Sequence, residues 1–337
     1  MRGRLRSALT WTAKLLLFAA LLVLAARALR SIDWSELGSL VFSADWPWLL
    51  GAAVLLVGRP VAWGERWRLV TQQLGKPPAH GWSFFTVAAA MAIDHLTPTA
   101  RLFGGFLRAR WLARKWHRGI GSAFGSVLYE QLTHEAFMAL ATMFALVLMP
   151  ALLGRWLVAM SVAMLAIVFT AAAWAWAHRH ADRFFGKIAR SIRTRASSGQ
   201  SRVRELAAHG DTVMDTVKSL IGDRSLGWRC LAWGGVILLM GILAQWAVFQ
   251  AVGASPGFAV LLSTVTLGAT AGVLAGTPGG AGATESAMIA SYVLLGVDPA
   301  NATAGVLLYR GLHYLLVLGL GLPALAAFEL RPKRETV

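Results

Sequence analysis

The chain is interrupted at Gly276-Thr277-Pro278-Gly279-Gly280-Ala281-Gly282, a stretch set inside apolar sequence that runs from Phe258 to Gly296. Proline and clustered glycines cannot continue a helix, so we expect two helical arms, 258–275 and 284–295, joined by irregular backbone. In a bilayer, irregular backbone is tolerated only where protein shields it or where it lines a wet cavity. The stretch therefore predicts irregular backbone inside the membrane that is shielded by protein or lines a wet cavity, and this makes it a candidate functional region.

A second interruption, Thr97-Pro98-Thr99-Ala100-Arg101, also lies between two apolar arms. A shift of 180 residues superposes Thr97-Pro98 on Thr277-Pro278. The same shift superposes four further residues on identical ones: Gly125, Leu128, Tyr129 and Leu132 on Gly305, Leu308, Tyr309 and Leu312. We interpret this register as an internal duplication.

The composition is that of a membrane protein: 57% of the 337 residues are hydrophobic, 14% are charged, and the mean hydropathy is +0.58. The formal charge of +16 does not indicate a nucleic-acid partner, because Lys and Arg fall in alternate loops, as the positive-inside rule describes. The single cysteine, Cys230, excludes an internal disulfide and a multi-cysteine metal cluster. Because no ATP-binding, dinucleotide or metal-ligand motif is visible, we expect neither cofactor nor metal.

We predict an all-α, polytopic single membrane domain, 1–337, with about six full spans and two re-entrant helical hairpins. The predicted spans are 15–26, 46–69, 120–149, 152–177, 231–252 and 302–328. Residues 82–116 form the first hairpin, because basic residues flank this short segment on both sides and a full crossing would place one basic cluster outside. Residues 31–45 are acidic enough for an outside loop, and both termini are predicted to be cytoplasmic.

The two halves then face opposite ways: repeat one covers about 46–149 and repeat two about 230–328. Between them lies a basic cytoplasmic loop, 178–229, with eleven Lys or Arg residues. This loop either lies on the anionic leaflet or is a solvated connector, and both interpretations stay open. Inverted repeats with interrupted segments in matching places are typical of transporters, whose site lies where the repeats meet.

Charged and polar residues inside spans or next to the interruptions are functional candidates, because burying them in a membrane is costly. The residues selected as lipid or substrate ligands are Arg59, Arg101, Arg108, Glu130, His134, Thr277, Pro278, Glu285, Tyr309, Arg310 and His313. None of them is assigned a catalytic role. Structural pairing, capping or anchoring to the cytoplasmic side is the competing interpretation for the charged members.

Three of these candidates suggest specific contacts. Arg310 occupies the place in repeat two that Glu130 occupies in repeat one, so we expect a buried Glu130–Arg310 pair across the two repeats, either as a gate or as structural glue. Arg101 follows the first interruption, where free amides and a guanidinium favour a lipid phosphate. Asp94 and His95 either line the cavity or cap the short arm.

Two further interpretations concern the second hairpin. Glu285 opens the arm after the glycine break, where an acid complements a helix N-terminus. Small residues recur every four positions, which favours close helix packing over a binding groove. These are Gly268, Gly272, Gly276 and Gly280.

The sequence resembles the lysylphosphatidylglycerol synthase transmembrane family, the flippase-type membrane region of the multiple-peptide-resistance proteins. The resemblance covers nearly the whole chain and rests on four motifs. These are 97–105 leading to Arg108, Tyr129-Glu130-Gln131, 276–282 leading to Glu285, and Leu308-Tyr309-Arg310 leading to His313. It implies a bacterial inner-membrane protein that moves a polar lipid between leaflets, without the soluble aminoacyl-transfer domain that follows this region in two-part members.

The favoured hypothesis is a lipid flippase-like transporter, not an enzyme, for an anionic or aminoacylated phospholipid. One alternative is a membrane-embedded enzyme or subunit acting on a lipid-linked glycosyl or aminoacyl substrate, with Glu130 and His134 as an acid–base pair. The other is a scaffold that recruits a lipid-modifying synthase through the basic loop.

Overall fold

The computed structural model describes residues 34–75, 77–97, 102–117, 119–152 and 201–329. In these ranges all regular structure is helical. The α-helices are α1 Trp34–Phe42, α2 Trp46–Gln72, α3 His80–Leu96, α4 Leu102–Trp116, α5 Ile120–Leu152, α6 Ser201–Gly222, α7 Arg224–Ala251, α8 Phe258–Ala275, α9 Ala283–Leu294 and α10 Pro299–Glu329. A single 3-10 turn, Pro278–Gly280, separates α8 from α9.

The all-helical prediction is confirmed for the described part of the chain, and five helices there are long and apolar enough to cross a membrane. They are α2, α5 over Ile120–Leu148, α7, α8 and α10. Large apolar side chains such as Phe144, Trp228 and Leu315 are exposed on the outer faces of these helices, as a lipid-facing surface requires. The predicted spans 15–26 and 152–177 lie outside the described residues.

Helix starts follow local capping chemistry. α7 begins at Arg224, seven residues before the predicted Leu231, because the Asp223 carboxylate accepts a hydrogen bond from the Leu226 N–H at 3.0 Å. α10 begins at Pro299, where the Asp298 carboxylate accepts hydrogen bonds from the next two free N–H groups. α2 instead continues through Pro60, which is buried inside the helix.

The glycine interruption predicted from the sequence is confirmed. α8 ends at Ala275 and is capped by Gly276, whose φ of 66° is the left-handed conformation that closes many helices. α9 then begins where the Glu285 carboxylate accepts the Gly282 N–H at 2.7 Å, which confirms the predicted capping role of Glu285.

The small-residue stripe packs α8 against α9. A Cβ atom on Gly268 would lie 2.3 Å from the Met288 Cγ, and one on Gly272 would lie 2.3 Å from the Thr284 Oγ1. Packing is therefore the role of these two glycines. Gly276 is the exception, because no atom lies near its Cβ position and its backbone ends the helix.

In the first hairpin, Asp94 near the end of α3 accepts a hydrogen bond from the Gly104 N–H in the first turn of α4, at 2.9 Å. Asp94 therefore caps the second arm of the hairpin and not, as predicted, the short arm that contains it. A Cβ on Gly104 would lie 2.5 Å from the Ala90 carbonyl oxygen, so this position requires glycine.

The packing partners of the first half recur in the second. In each half the two hairpin arms pack on each other, α3 on α4 and α8 on α9, and the second arm packs on the following long helix. Between the halves, α2 packs along α7, α3 packs on α10, and α8 packs on α5. The two halves thus have matching sets of packing partners, as an internal duplication would require.

Two segments predicted as loops contain helices. α1 occupies most of the predicted outside loop 31–45, and α6 occupies 201–222 of the predicted basic loop, whose last residues belong to α7. α6 packs against α5, where a Cβ on Gly125 would lie 2.7 Å from the Thr216 Cβ. This part of the loop is therefore docked on the bundle, while residues 178–200 lie outside the described residues.

Candidate functional site at the junction of the two halves

Among the described residues, two ion-pair clusters lie inside the bundle, one in each half; the first is buried and the second is part-buried. The first ion-pair cluster consists of Arg66 on α2, Arg108 on α4 and Glu130 on α5. Arg108 donates from Nη2 to the Glu130 Oε2 at 2.7 Å, and the Arg66 Nη1 lies 3.6 Å from the Glu130 Oε1. The side chains of Arg66 and Glu130 are 0% exposed, and that of Arg108 is 5% exposed. The cluster therefore buries one acid between two bases.

Neighbouring polar and aromatic groups fix the two arginines. Arg66 donates from Nη2 to the Thr133 hydroxyl at 2.8 Å. The Arg108 guanidinium lies 4.5 Å from the centre of the Trp67 ring, an arrangement that stabilises a buried cation. Arg66 was not among the predicted site residues, because its place at the end of a span suggested an ordinary positive-inside charge.

The second cluster, called here the glycine-break cluster, consists of Glu285 on α9, Arg310 and Tyr314 on α10, and the Gly279 carbonyl. Arg310 donates from Nε to the Glu285 Oε1 at 2.5 Å and from Nη2 to the Gly279 carbonyl at 2.9 Å. The same Nη2 lies 2.8 Å from the Tyr314 hydroxyl. Arg310 thereby holds the interrupted backbone against α10. The side chains of Arg310 and Glu285 are 10% and 16% exposed.

The predicted Glu130–Arg310 pair across the halves is wrong. Glu130 pairs with arginines of its own half, and Arg310 pairs with Glu285 of its own half. The physical reason is proximity: in each half the hairpin arm packs on the following long helix, and this places an opposite charge within hydrogen-bond distance. Glu130 and Arg310 hold equivalent positions under the shift of 180 residues, but their partners do not, since Arg108 corresponds to Met288. The acid is on the long helix in one half and on the hairpin arm in the other.

The two halves meet through a pair of histidines. His95, near the end of α3, and His313 on α10 face each other with their Nε2 atoms 3.1 Å apart. The Tyr314 ring lies edge-on to His95 at 5.4 Å between ring centres. A Cβ on Gly279, whose φ is 58°, would lie 2.9 Å from both the His95 Cδ2 and the Tyr314 hydroxyl. The end of the first arm therefore touches the glycine break of the second hairpin.

The remaining predicted site residues are distributed around these clusters. His134 packs on the Trp63 indole at 4.5 Å between ring centres, while the Glu130 carboxylate is occupied by arginines, so the structure gives no support to the proposed Glu130–His134 acid–base pair. Tyr309 is buried and stacks parallel to His313. Thr277 bonds the Ala281 carbonyl across the break.

Two further candidates lie outside the two ion-pair clusters, and a third lies outside the described residues. The guanidinium of Arg59 lies against Gly241 on α7, and its buried Nε has no hydrogen-bond partner among the described residues. Pro278 is exposed at the surface of the break. Arg101 lies outside the described residues. Like Arg66, His95 and Tyr314 were not among the predicted site residues, although Tyr314 stands one helical turn from Arg310 and could have been found by that spacing.

The fold and these clusters define an all-helical integral membrane protein with a charged, part-buried junction between interrupted segments. Residues 11–321 match the model of the lysylphosphatidylglycerol synthase transmembrane region, and the chain belongs to that family. It is also 25% identical over 304 residues to a UPF0104 membrane protein of Methanothermobacter thermautotrophicus, covering 87% of this chain and 89% of the relative.

Proposed function

We propose that this protein is a lipid flippase-like transporter of the bacterial inner membrane, which moves an anionic or aminoacylated phospholipid between leaflets. The observation that carries the proposal is the Arg310–Glu285 pair at the glycine break. Arg310 donates from Nε to one carboxylate oxygen and from Nη2 to a backbone carbonyl, and two oxygens of a phosphate can accept from the same two nitrogens instead.

In this scheme the head group enters the junction between the two hairpins and its phosphate replaces the Glu285 carboxylate on Arg310. The acyl chains stay in the bilayer beside the exposed apolar helix faces. Glu285 is then released to pair with a cationic part of the head group, such as the amino group of an aminoacylated lipid. Such an exchange needs no covalent chemistry, which favours transport over an enzymatic role.

The proposed topology is an inverted repeat with re-entrant hairpins and both termini in the cytoplasm. α9 has 12 residues. Its rise of about 18 Å is shorter than the roughly 30 Å of a hydrocarbon core, which favours a helix that enters and does not cross. The repeated packing of the two halves supports the same arrangement, in which both interruptions reach the middle of the bilayer.

The experiment is reconstitution in vesicles that contain labelled phosphatidylglycerol or its lysyl ester, with the label in one leaflet. Wild-type protein should equilibrate the label between leaflets, and Arg310→Ala should reduce the rate at least tenfold. Arg110→Ala removes an exposed ion pair with Glu329 and serves as the matched control, which should transport normally.

Equal rates for Arg310→Ala and the control would remove Arg310 from the site. An absence of lipid movement by folded wild-type protein, for every anionic and aminoacylated lipid tried, would refute the proposal itself. Turnover of the lipid into a new product would instead favour the membrane-embedded enzyme.

A further inference from the structure

The contact between His95 and His313 joins two groups that can each carry a proton. His313 is 7% exposed, and His95 is half-buried at the end of α3. Their Nε2 atoms are 3.1 Å apart, a distance at which a hydrogen atom must lie between the two nitrogens. No transport step proposed above uses this contact.

The hydrogen positions follow from the neighbouring acceptor. The His95 Nδ1 lies 2.7 Å from the Met91 carbonyl, which can only accept, so this nitrogen carries hydrogen. In the neutral pair the His95 Nε2 therefore accepts, and the His313 Nε2–H donates to it. When the pair takes up one proton, His95 can donate from Nε2 to a His313 that carries its own hydrogen on Nδ1. The contact thus survives one extra proton, whereas a second would place hydrogens on both facing nitrogens.

The charged groups described around the pair are two acids and two bases, of which Glu285 and Arg310 form an ion pair. The titratable and charged groups on the elements packed around it are Asp94 on α3, Glu285 on α9, Tyr309, Arg310 and Tyr314 on α10, and Arg59 on α2. Asp94 accepts the Gly104 N–H, Glu285 neutralises Arg310, and the Arg59 guanidinium lies against Gly241. Tyr314 connects the histidine pair with Arg310, since its hydroxyl contacts Arg310 and its ring lies edge-on to His95.

The geometry points to His95 and His313 as a proton-binding site that is coupled to the head-group site: one proton binds the pair when an anionic phospholipid binds Arg310. This inference rests on the proposed function. A phosphate on Arg310 adds a negative charge beside the pair, and a shared proton between the imidazoles offsets it. Because coupling between two ligands is reciprocal, the proton also strengthens lipid binding. Proton binding would then supply the driving force of a transporter without a visible ATP motif.

The first test is calorimetric binding of dihexanoyl phosphatidylglycerol to the purified full chain between pH 5.5 and pH 8, in buffers of different ionisation enthalpy. Wild-type protein should take up close to one proton per lipid where the free pair is unprotonated. Its Kd should rise about tenfold per pH unit in that range, because one linked proton changes the equilibrium constant by that factor. His95→Asn and His313→Asn should bind with little proton uptake and a Kd that is nearly independent of pH.

His80→Asn is the matched control. His80 also lies on α3, but it contacts Glu65 at the opposite end of the helix, and its side chain is 73% exposed. This variant should keep the wild-type proton uptake. Unchanged proton uptake in both His95→Asn and His313→Asn, with lipid still bound, would overturn the inference and leave the proposed function standing.

A second measurement does not depend on lipid. In ¹⁵N-histidine NMR of the lipid-free protein, His95 and His313 should titrate in two steps separated by more than about one pH unit, as coupled sites do. Replacing His313 by Asn or Gln should turn the His95 titration into a single independent step. Identical His95 titration in the wild type and in a folded His313 variant would exclude the shared proton, whatever the outcome of the lipid experiments.

Discussion

Replacing Glu130 by Gln should destabilise the protein more than any other single change in the first ion-pair cluster. Glu130 is the one acid between Arg66 and Arg108, and all three side chains are almost completely buried. Glutamine keeps the size of the side chain but leaves two guanidinium groups without a counter-charge. Arg66→Met, by contrast, leaves a neutral Arg108–Glu130 pair with its 2.7 Å hydrogen bond.

The magnitude follows from the two distances. At an effective dielectric constant of about 20, charges 2.7 Å and 3.6 Å apart attract by about 6 and about 5 kcal/mol. Much of this attraction offsets the cost of removing the charges from water, so the net loss expected from breaking such a buried pair is about 3–5 kcal/mol. For Arg66→Met we expect less than about half of that loss, because the remaining pair is balanced.

The assay is reversible unfolding of purified protein in mixed detergent micelles, with the free energy of unfolding extrapolated to zero denaturing detergent. The Arg110–Glu329 pair supplies a control, since Glu329→Gln removes an exposed partner and should have no measurable effect. Equal losses for Glu130→Gln and Arg66→Met would refute the reasoning. So would a Glu130→Gln loss as small as that of the control.

Two glycine substitutions test packing contacts outside this cluster. Gly279→Ala should lower stability by about 1–2 kcal/mol and should also slow lipid movement, because the left-handed backbone and the nearby His95 leave no room for a methyl group. The melting temperature and vesicle transport measure the two effects. Wild-type values for both would contradict the contact. Gly125→Val should separate α6 from α5 at Thr216 and expose α6 to limited proteolysis, and unchanged protection would contradict this docking. Gly311→Ala, where no atom lies near the Cβ position, is the control for both.

Much of the helical framework could be predicted from the sequence because proline and glycine determine where helices stop. The predicted arm 258–275 agrees with α8, and the arm predicted at 284–295 differs from α9 by one residue at each end. The start of α7 was missed because hydropathy does not detect a helix that begins in polar sequence. Its start depends on the Asp223 cap.

The pairing of charges could not be predicted in the same way. Superposing the repeats shows which positions are equivalent, and so it connected Glu130 with Arg310, but equivalent positions need not be neighbours. Which groups meet depends on how each hairpin arm packs on the next helix. Arg108 lies one helical turn before Leu112, a buried residue of α4, and so on the buried face of that helix. Only this burial shows that Arg108 pairs with Glu130 and is not one of the basic residues that anchor the segment on the cytoplasmic side.

The buried ion pairs Arg108–Glu130 and Arg310–Glu285 each stay within one half, which has a consequence for movement between the halves. A buried pair across the junction would have to be separated whenever the halves moved, at a cost of several kcal/mol. In this protein the halves meet instead through apolar packing of α2 along α7, through neutral contacts that include His95–His313 and Thr142–Thr270, the latter at 3.0 Å, and through the exposed Arg110–Glu329 ion pair. Neutral hydrogen bonds are worth about 1 kcal/mol each, so exchanging them costs little. The junction can therefore open without separating a buried ion pair, until an anionic head group or a second proton changes the balance.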